Sequence, residues 1–331
     1  MKSVNTTLGA LPVDRLGRVN VHEHIILDTT GKPHIPESFH HTDVDLVADE
    51  LTAWRIAGGG ALIDCSPLGA GRNIELLKAV SLAANVPIIA TSGFHKGDYY
   101  PEGHWVHVKS EAHISEIVAD ECIKGILIDD EDPEHSARSE VKAGALKMGV
   151  GPDGLTPLIT KIIRAVGKVV NDIDMRCLIH TEPGVPFTEV VALLESIQVP
   201  PEKVIFCHMG KSLDPILHTL LASSGYYLEF DEMVRPEPTR AELASAILSL
   251  FDQGFGHKVL FAGDYARRSY WTCYGGTPGL PYLVSGLSGE LIEAGFTKEM
   301  LDLVWMDNPR EYFSGSTKDR LIDTICKKCI Q

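Results

Sequence analysis

The sequence predicts an α/β fold, a (β/α)8 TIM barrel in which eight parallel strands alternate with helices. Eight short apolar runs rich in β-branched residues recur along the 331 residues, and amphipathic segments with helical spacing lie between them. Most neighbouring runs begin about 25–35 residues apart, the size of a βαβ unit. The runs are residues 19–25, 61–65, 86–91, 143–148, 175–180, 203–208, 226–230 and 258–263.

The helical segments carry their own signals. Residues 44–54 and 159–170 each place their apolar side chains on one helical face. Thr156 before Pro157 predicts a capping residue followed by a first-turn proline, and Thr188 is expected to cap the next helix. Nothing resembling a linker or an internal repeat divides the chain, so we expect a single domain over residues 1–331.

Composition narrows the class of protein. A hydrophobic content of 44% with 23% charged residues is typical of a soluble globular protein, and the net charge of −15 argues against nucleic acid and anionic membranes as partners. There is no signal-peptide pattern, and no apolar run reaches about 18 residues. Seven scattered cysteines favour reduced thiols in a cytoplasm. We therefore expect a cytoplasmic protein that acts on a small molecule.

Two segments offer only weak metal signals. The acidic run 129–134 lies in the long interval between the third and fourth strands, and we predict a solvated loop, with calcium binding as the alternative. Cys326 and Cys329 form one CxxC near the C-terminus, without the second pair that a zinc site of this kind usually has.

The first barrel strand ends in a histidine pair. Period-2 alternation puts His22 and His24 on the same face of that strand, at its C-terminal end. Two neutral imidazoles about 7 Å apart along a strand suit one cation such as zinc. For this motif alone, two core histidines or a surface pair remain the alternative.

Other strands end in titratable residues as well. Lys147, His180, His208 and Asp264 each follow an apolar run. In a TIM barrel the C-terminal strand ends meet at the face that carries the chemistry. Such groups are costly to bury unpaired. Any one of them alone would be read as structural, but together with the histidine pair they predict a metal centre.

Lys147 is the unusual member, because an ammonium group repels cations. Burial lowers the pKa of a lysine, and its neutral amine can then add carbon dioxide to give a carbamate. The carbamate is a carboxylate that can bridge two cations. A lysine in a salt bridge is the alternative interpretation.

Several motifs together resemble the phosphotriesterase-related branch of the amidohydrolase superfamily, over nearly the whole chain. The resemblance implies a (β/α)8 barrel with two divalent metal ions and a bridging hydroxide. The motifs are Thr7-Leu8-Gly9, Leu16-Gly17-Arg18, His22-Glu23-His24, Ser92-Gly93-Phe94-His95-Lys96, Lys142-Ala143-Gly144 and Asn308-Pro309-Arg310.

The resemblance also implies a role for each strand-end residue. His22, His24 and Asp264 hold one metal, His180 and His208 hold the second, and carbamylated Lys147 bridges them. Asp264 also carries the proton from the attacking hydroxide to the leaving oxygen. Zinc is the default metal, with manganese or cobalt accepted by the same ligands. A homodimer is plausible from the resemblance.

The segment after Asp264 is similar to a subgroup that hydrolyses phosphorylated sugar lactones. That similarity implies that Arg267 and Tyr270 bind the substrate phosphate, and guanidinium and phenol groups are natural phosphate donors. Lys211 and Arg235, on neighbouring loops, are further candidates. A salt bridge within the loops is the alternative for each of these cations.

We therefore expect a hydrolase that opens a phosphorylated sugar lactone to the phosphorylated aldonic acid. Trp271 and Tyr282 make the loop after the eighth strand partly apolar. The alternative is thus a lactonase, carboxylesterase or phosphotriesterase for apolar substrates with the same metal centre. A metal-binding barrel without catalysis is a third possibility, disfavoured because all six ligands are present.

Overall fold

The computed structural model describes residues 2–315, and these form a (β/α)8 barrel, as predicted. A short antiparallel hairpin, β1 (Ser3–Thr6) and β2 (Gly9–Pro12), precedes it. Eight strands then pair in chain order, all in parallel. The barrel strands are β3 (Asn20–Glu23), β4 (Leu62–Asp64), β5 (Ile88–Gly93), β6 (Ala145–Gly149), β7 (Cys177–His180), β8 (Val204–Phe206), β9 (Tyr227–Phe230) and β10 (Val259–Phe261).

Side chains along each barrel strand point alternately into the barrel and outward, and so form two separate hydrophobic cores. One set of strand residues, including Ile89, Leu178 and Ile205, points into the barrel and packs in its interior. Residues of opposite parity, such as Ile179 and Phe206, pack outward against the helices. Every barrel strand is buried along its length, which explains why the strands read as continuous apolar runs in the sequence.

Helices cover the outside of the barrel. Thr156 caps its helix by accepting a hydrogen bond from the Ile159 amide, with Pro157 in the first turn as predicted. The predicted cap at Thr188 is wrong, because that helix starts one residue earlier, after Pro186. The helices are α1 (Val44–Ile56), α2 (Ile74–Ala84), α3 (Glu111–Ile123), α4 (Pro157–Asp172), α5 (Phe187–Ser196), α6 (Pro215–Ser223), α7 (Arg240–Asp252), α8 (Leu280–Val284), α9 (Gly286–Glu293), α10 (Lys298–Asp302) and α11 (Asn308–Ser314).

The two ends of the barrel differ. At the N-terminal end the β1–β2 hairpin is held by a hydrogen bond from the Thr7 amide to the Ile88 carbonyl, and Tyr312 and Phe313 of α11 fill the interior. At the other end, the Asp264 amide donates to the His22 carbonyl and so joins the last strand to the first. The N-terminal end is therefore plugged, and the C-terminal end is left for a binding site.

Of the two segments with weak metal signals, the structure describes the acidic run 129–134 but not the cysteine pair near the C-terminus. In the acidic segment, Asp129 and Glu131 are exposed, as a solvated loop requires, but Asp130 is buried and accepts a hydrogen bond from the Gly69 amide. The Cys326 and Cys329 pair lies outside the described residues. No helix within residues 2–315 is both long and apolar enough to cross a membrane.

Candidate metal centre and substrate pocket

The six residues predicted as metal ligands lie together at the C-terminal end of the barrel. His24 Nε2 is 3.4 Å from Asp264 Oδ1, and His22 Nε2 is 3.8 Å from the same oxygen. On the other side, His208 Nε2 lies 2.8 Å from His180 Nδ1. All but Asp264 are buried, and its side chain is only 13% exposed.

Lys147 lies on the floor between these two groups of residues. Its Nζ is 3.0 Å from His22 Nε2 and 4.0 Å from Cys207 Sγ, and the side chain is fully buried. Burial opposes the ammonium form, but Cys207, Cys65, Asp264 and Glu229 outweigh it and raise the pKa of Lys147 above its ordinary value. The depressed pKa expected of a buried lysine is therefore wrong for this environment.

The donor set is suited to divalent cations. The donor atoms of His22, His24 and Asp264 all lie within 4.8 Å of one another, and so do those of a second buried group that includes Glu229 and Asp231. Imidazole nitrogens with carboxylate oxygens are a common ligand set for zinc and its first-row neighbours. The residues present therefore fit the metals that the sequence predicts.

Each of the four histidines has a second partner for its other ring nitrogen. Histidines that bind metals usually have such a partner, which fixes the ring orientation and the tautomer. This arrangement was not predicted from the sequence, although Glu229 and Asp231 lie at the C-terminal end of β9, as His180 lies at the end of β7. The pairs are His22 Nδ1 with Glu229 Oε2 at 3.3 Å, His24 Nδ1 with Ser66 Oγ at 3.0 Å, His180 Nε2 with Glu182 Oε1 at 3.3 Å, and His208 Nδ1 with Asp231 Oδ2 at 2.5 Å.

The protonation states suit metal binding. Burial holds the pKa values of His22 and His180 well below 6.5, so both rings are neutral and keep a lone pair for a cation. Burial acts to raise the pKa of Asp264, but its hydrogen bond to His24 and the charge of Arg235 lower it well below its ordinary value. Neutral imidazoles beside an ionised carboxylate are the forms that ligate metals.

Two of the site residues have unusual backbone conformations. His208 and Asp264 have φ angles of +63° and +49°, a region that non-glycine residues seldom adopt. Each lies within three residues of the end of a barrel strand. Strain of this kind is concentrated at functional sites.

A pocket of about 490 Å³ opens above these residues. The predicted phosphate-binding residues Lys211, Arg235, Arg267 and Tyr270 all line it. Within residues 2–315 neither Lys211 nor Arg267 forms an ion pair, so the alternative of a loop salt bridge is not seen for these two. Arg235 differs, because its guanidinium pairs with Asp264 and lies 3.7 Å from Asp231.

Aromatic residues support the cationic side of the pocket. The Arg267 guanidinium lies over the Phe39 ring, 5.7 Å from its centroid, and Tyr270 stacks on Tyr265 at 5.2 Å. Phe39 belongs to an apolar wall that also includes Leu27 and Ile35. This side of the pocket thus combines Lys211, Arg235 and Arg267 with an apolar surface.

Several other residues that line the pocket were not predicted to act there. His95, Lys96 and Tyr99 follow β5, and Glu182 follows His180 by two residues. The sequence offered two signals for His95, its place close to the end of a barrel strand and its position in the Ser92-Gly93-Phe94-His95-Lys96 motif, but the long loop beyond it favoured a loop residue.

Comparisons with known proteins agree with this geometry. The chain is 27% identical to a phospho-furanose lactonase of Mycoplasmopsis synoviae (strain 53), over 96% of this chain and 93% of that protein. It superposes on the crystal structure of an amidohydrolase from Mycoplasma synoviae with a TM-score of 0.89 and 26% identity, over 94% of this chain and 92% of the other. A lactonase from Listeria monocytogenes gives a TM-score of 0.84 and 25% identity, over 94% and 98% of the two chains.

The family model of the phosphotriesterase family matches residues 2–313. This match covers all eight barrel strands and every residue of the candidate site. The assignment made from the motifs is confirmed: this chain belongs to the phosphotriesterase family.

Proposed function

We propose that this protein is a metal-dependent hydrolase that opens a phosphorylated sugar lactone to the corresponding phosphorylated aldonic acid. The observation that carries the proposal is the juxtaposition, in one pocket, of a metal-ligand set with Lys211, Arg235 and Arg267. A phosphate monoester is the anion that such a group of cations suits best. The phospho-furanose lactonase among the relatives supports the same substrate class.

Two divalent cations fit the ligands. His22, His24 and Asp264 would hold one and His180 and His208 the other, with zinc as the default and manganese or cobalt as alternatives. Two such ions, if bound there, would supply hydroxide at neutral pH and would polarise the lactone carbonyl.

Lys147 is proposed as the bridging ligand in its carbamate form. Its amine must lose a proton before the nitrogen can bond to carbon dioxide, and the neighbouring acidic groups oppose that loss. The repulsion of nearby cations favours the neutral amine. We therefore expect carbamylation and metal loading to depend on each other.

The chain's own residues then handle the substrate and the proton. Arg267, Lys211 and Tyr270 anchor the phosphate, which orients the lactone ring toward the histidines. Water adds to the lactone carbon, the ring carbon–oxygen bond breaks, and the Asp264 carboxylate moves the proton of the water to the departing oxygen. Arg235, paired with Asp264, keeps that carboxylate ionised and in place.

A second candidate function rests on the apolar wall. Leu27, Ile35 and Phe39 offer a surface that an acyl chain or an aromatic leaving group could contact. Under this alternative, the same centre hydrolyses apolar lactones, carboxyl esters or organophosphate triesters. A barrel that binds metal without catalysis is less well supported, because all six expected ligands are present, including Asp264, the residue proposed to carry the proton.

The proposed partner is a small molecule in the cytoplasm, with no role for nucleic acid or membranes, given the net charge of −15. A homodimer stays a prediction from the family resemblance.

A hydrolysis screen tests the proposal. Protein grown with zinc or manganese is offered five- and six-carbon aldonolactones with and without a terminal phosphate, an acyl-homoserine lactone, an aryl ester and a phosphotriester. A strong preference for the phosphorylated lactones supports the proposed substrate class. Activity confined to the apolar substrates would assign the second function instead.

A further inference from the structure

The pocket has a second polar face, away from the cationic one. Lys211, Arg235 and Arg267 lie on the loops after β8, β9 and β10, whereas His95, Lys96 and Tyr99 follow β5 and Glu182 follows β7. The second face carries a histidine ring, a phenol and a carboxylate, and its one ammonium group, that of Lys96, is already paired with Glu182 and Asp98. These groups suit hydroxyl groups rather than a phosphate. It borders the metal centre directly, since the His95 and His180 rings are 4.5 Å apart between centroids.

His95 is held as a hydrogen-bond donor toward the pocket. Its Nδ1 accepts a hydrogen bond from the Lys96 amide at 2.8 Å, so the neutral ring carries its proton on Nε2. No hydrogen bond within residues 2–315 uses Nε2, although the residue is only 4% exposed and lines the pocket. Tyr99 stacks on the ring at 4.0 Å and the Tyr100 hydroxyl accepts from its backbone amide. The ring is fixed on both sides, with one donor left for a ligand.

The Glu182 carboxylate is held as a hydrogen-bond acceptor beside the His180 ring. Its Oε1 accepts from Lys96 Nζ at 2.8 Å and lies 3.3 Å from His180 Nε2. Lys96 is itself anchored by Asp98 at 3.3 Å. The Glu182 side chain is 25% exposed and lines the pocket, so its carboxylate has room to accept a further hydrogen bond.

We infer that His95 and Glu182 form a hydroxyl-binding subsite that recognises the hydroxyl group on the carbon next to the lactone carbonyl. The inference deepens the proposed function and depends on it. Hydrolysis requires the carbonyl at the metal ligands, and the adjacent C2 hydroxyl lies about one hydrogen-bond length from it. Both residues contact His180, which puts a donor and an acceptor within reach of that hydroxyl. All aldonolactone phosphates carry the C2 hydroxyl, so the subsite predicts that their 2-deoxy analogues are disfavoured.

The test compares each phosphorylated lactone with its 2-deoxy analogue on the same enzyme variant. Wild-type protein should prefer the 2-hydroxy substrate in kcat/KM by roughly tenfold to a hundredfold, the range for losing hydrogen bonds to a neutral and a charged group. H95F removes the donor and E182L the acceptor, and each should reduce that preference about tenfold. H95Q and E182Q are the matched controls, because each keeps a donor or an acceptor at the same place and should retain most of the preference.

The design separates this inference from the proposed function. Any damage to the metal centre by H95F affects both substrates, so it cancels in the ratio. R267M should lower the rate on both phosphorylated lactones and leave their ratio unchanged. Equal rates of the wild type on 2-hydroxy and 2-deoxy lactone phosphates, or an unchanged preference in H95F and E182L, would overturn the subsite. A wild-type enzyme inactive on every lactone phosphate would instead refute the proposed function.

Discussion

Asp231→Asn tests how the buried carboxylate behind His208 supports metal binding. Asp231 is fully buried, and its Oδ2 accepts from His208 Nδ1 at 2.5 Å. Burial alone would raise its pKa, but His208 and Arg235 lower it below the ordinary value, so the carboxylate is ionised at neutral pH. The asparagine amide can turn its NH2 group toward Nδ1, which favours the tautomer whose proton lies on the metal-facing nitrogen. The variant thus removes a charge and disturbs the tautomer with almost no change in volume.

The magnitude follows from what the contact does. Losing such a carboxylate partner typically lowers metal affinity about 10- to 100-fold, equivalent to roughly 1.4–2.8 kcal/mol. A buried hydrogen bond to a charged group contributes about 1.5–3 kcal/mol to stability, so the free energy of unfolding should fall by a similar amount. Asp132→Asn is the matched control, because Asp132 is exposed and, within residues 2–315, its carboxylate pairs only with the exposed His135.

Metal affinity is measured by competition with a chromogenic chelator, and stability by urea unfolding of protein stripped of metal. We expect weaker binding of one of two zinc ions in Asp231→Asn and wild-type behaviour in Asp132→Asn. Unchanged affinity for both ions in a folded Asp231→Asn protein would refute the role of Asp231 in orienting His208.

Three further predictions address the bridging lysine, the phosphate site and the response to acid. Lys147→Ala should lose activity and regain part of it with added metal and a small carboxylate such as propionate, whereas unchanged turnover would remove the bridging role. Arg267→Met should lower kcat/KM about 10- to 100-fold on phosphorylated lactones only. The matched control is Arg268→Met, which should have little effect because the Arg268 side chain donates to a backbone carbonyl. Equal losses on unphosphorylated lactones in Arg267→Met would indicate a folding role. Burial lowers the pKa of His41 to about 3, so below pH 6.5 the unfolded chain binds a proton at this residue that the folded protein does not, and His41 alone should lower stability by about 1.4 kcal/mol per pH unit. His41→Gln should reduce this slope in urea unfolding between pH 7 and pH 5, and an identical slope in the variant would contradict the assignment.

The barrel was predictable because its strands have an unambiguous pattern. Strands buried on both faces must be apolar throughout, and the helices between them show the 3.6-residue period. The β1–β2 hairpin was missed, since four-residue strands such as Ser3–Thr6 mix polar and apolar residues without clear alternation. The cap was wrongly predicted at Thr188 because the residue that actually precedes α5, Pro186, has no side-chain oxygen and so gives no capping signal in the sequence.

The metal-ligand positions were predictable for a geometric reason. In a parallel barrel all strands end at the same face, so titratable residues directly after apolar runs meet there, however distant they are in sequence. Glu229 and Asp231 satisfy the same rule but lack a family motif, and their role emerges only from their distances to His22 and His208.

The remaining features depend on tertiary contacts that no sequence pattern encodes. The pKa of Lys147 was expected to be lowered by burial, yet Cys207, Cys65, Asp264 and Glu229, which lie in or after four other strands, raise it. Arg235 was expected among the phosphate ligands, and it lines the pocket, but it also pairs with Asp264. The donor of His95 is defined by a hydrogen bond to its own neighbour, a local detail of the loop backbone.

Metal titration of stripped protein tests the central claim most directly. Zinc or manganese is added in steps with bicarbonate present, and hydrolysis of a five-carbon lactone phosphate is followed with a pH indicator. The two ligand groups predict that activity reaches its maximum only when about two equivalents per chain are bound. Full activity in the presence of a strong chelator, or no hydrolysis of any lactone, ester or phosphotriester at two equivalents, would contradict the assignment of this site as a catalytic binuclear centre.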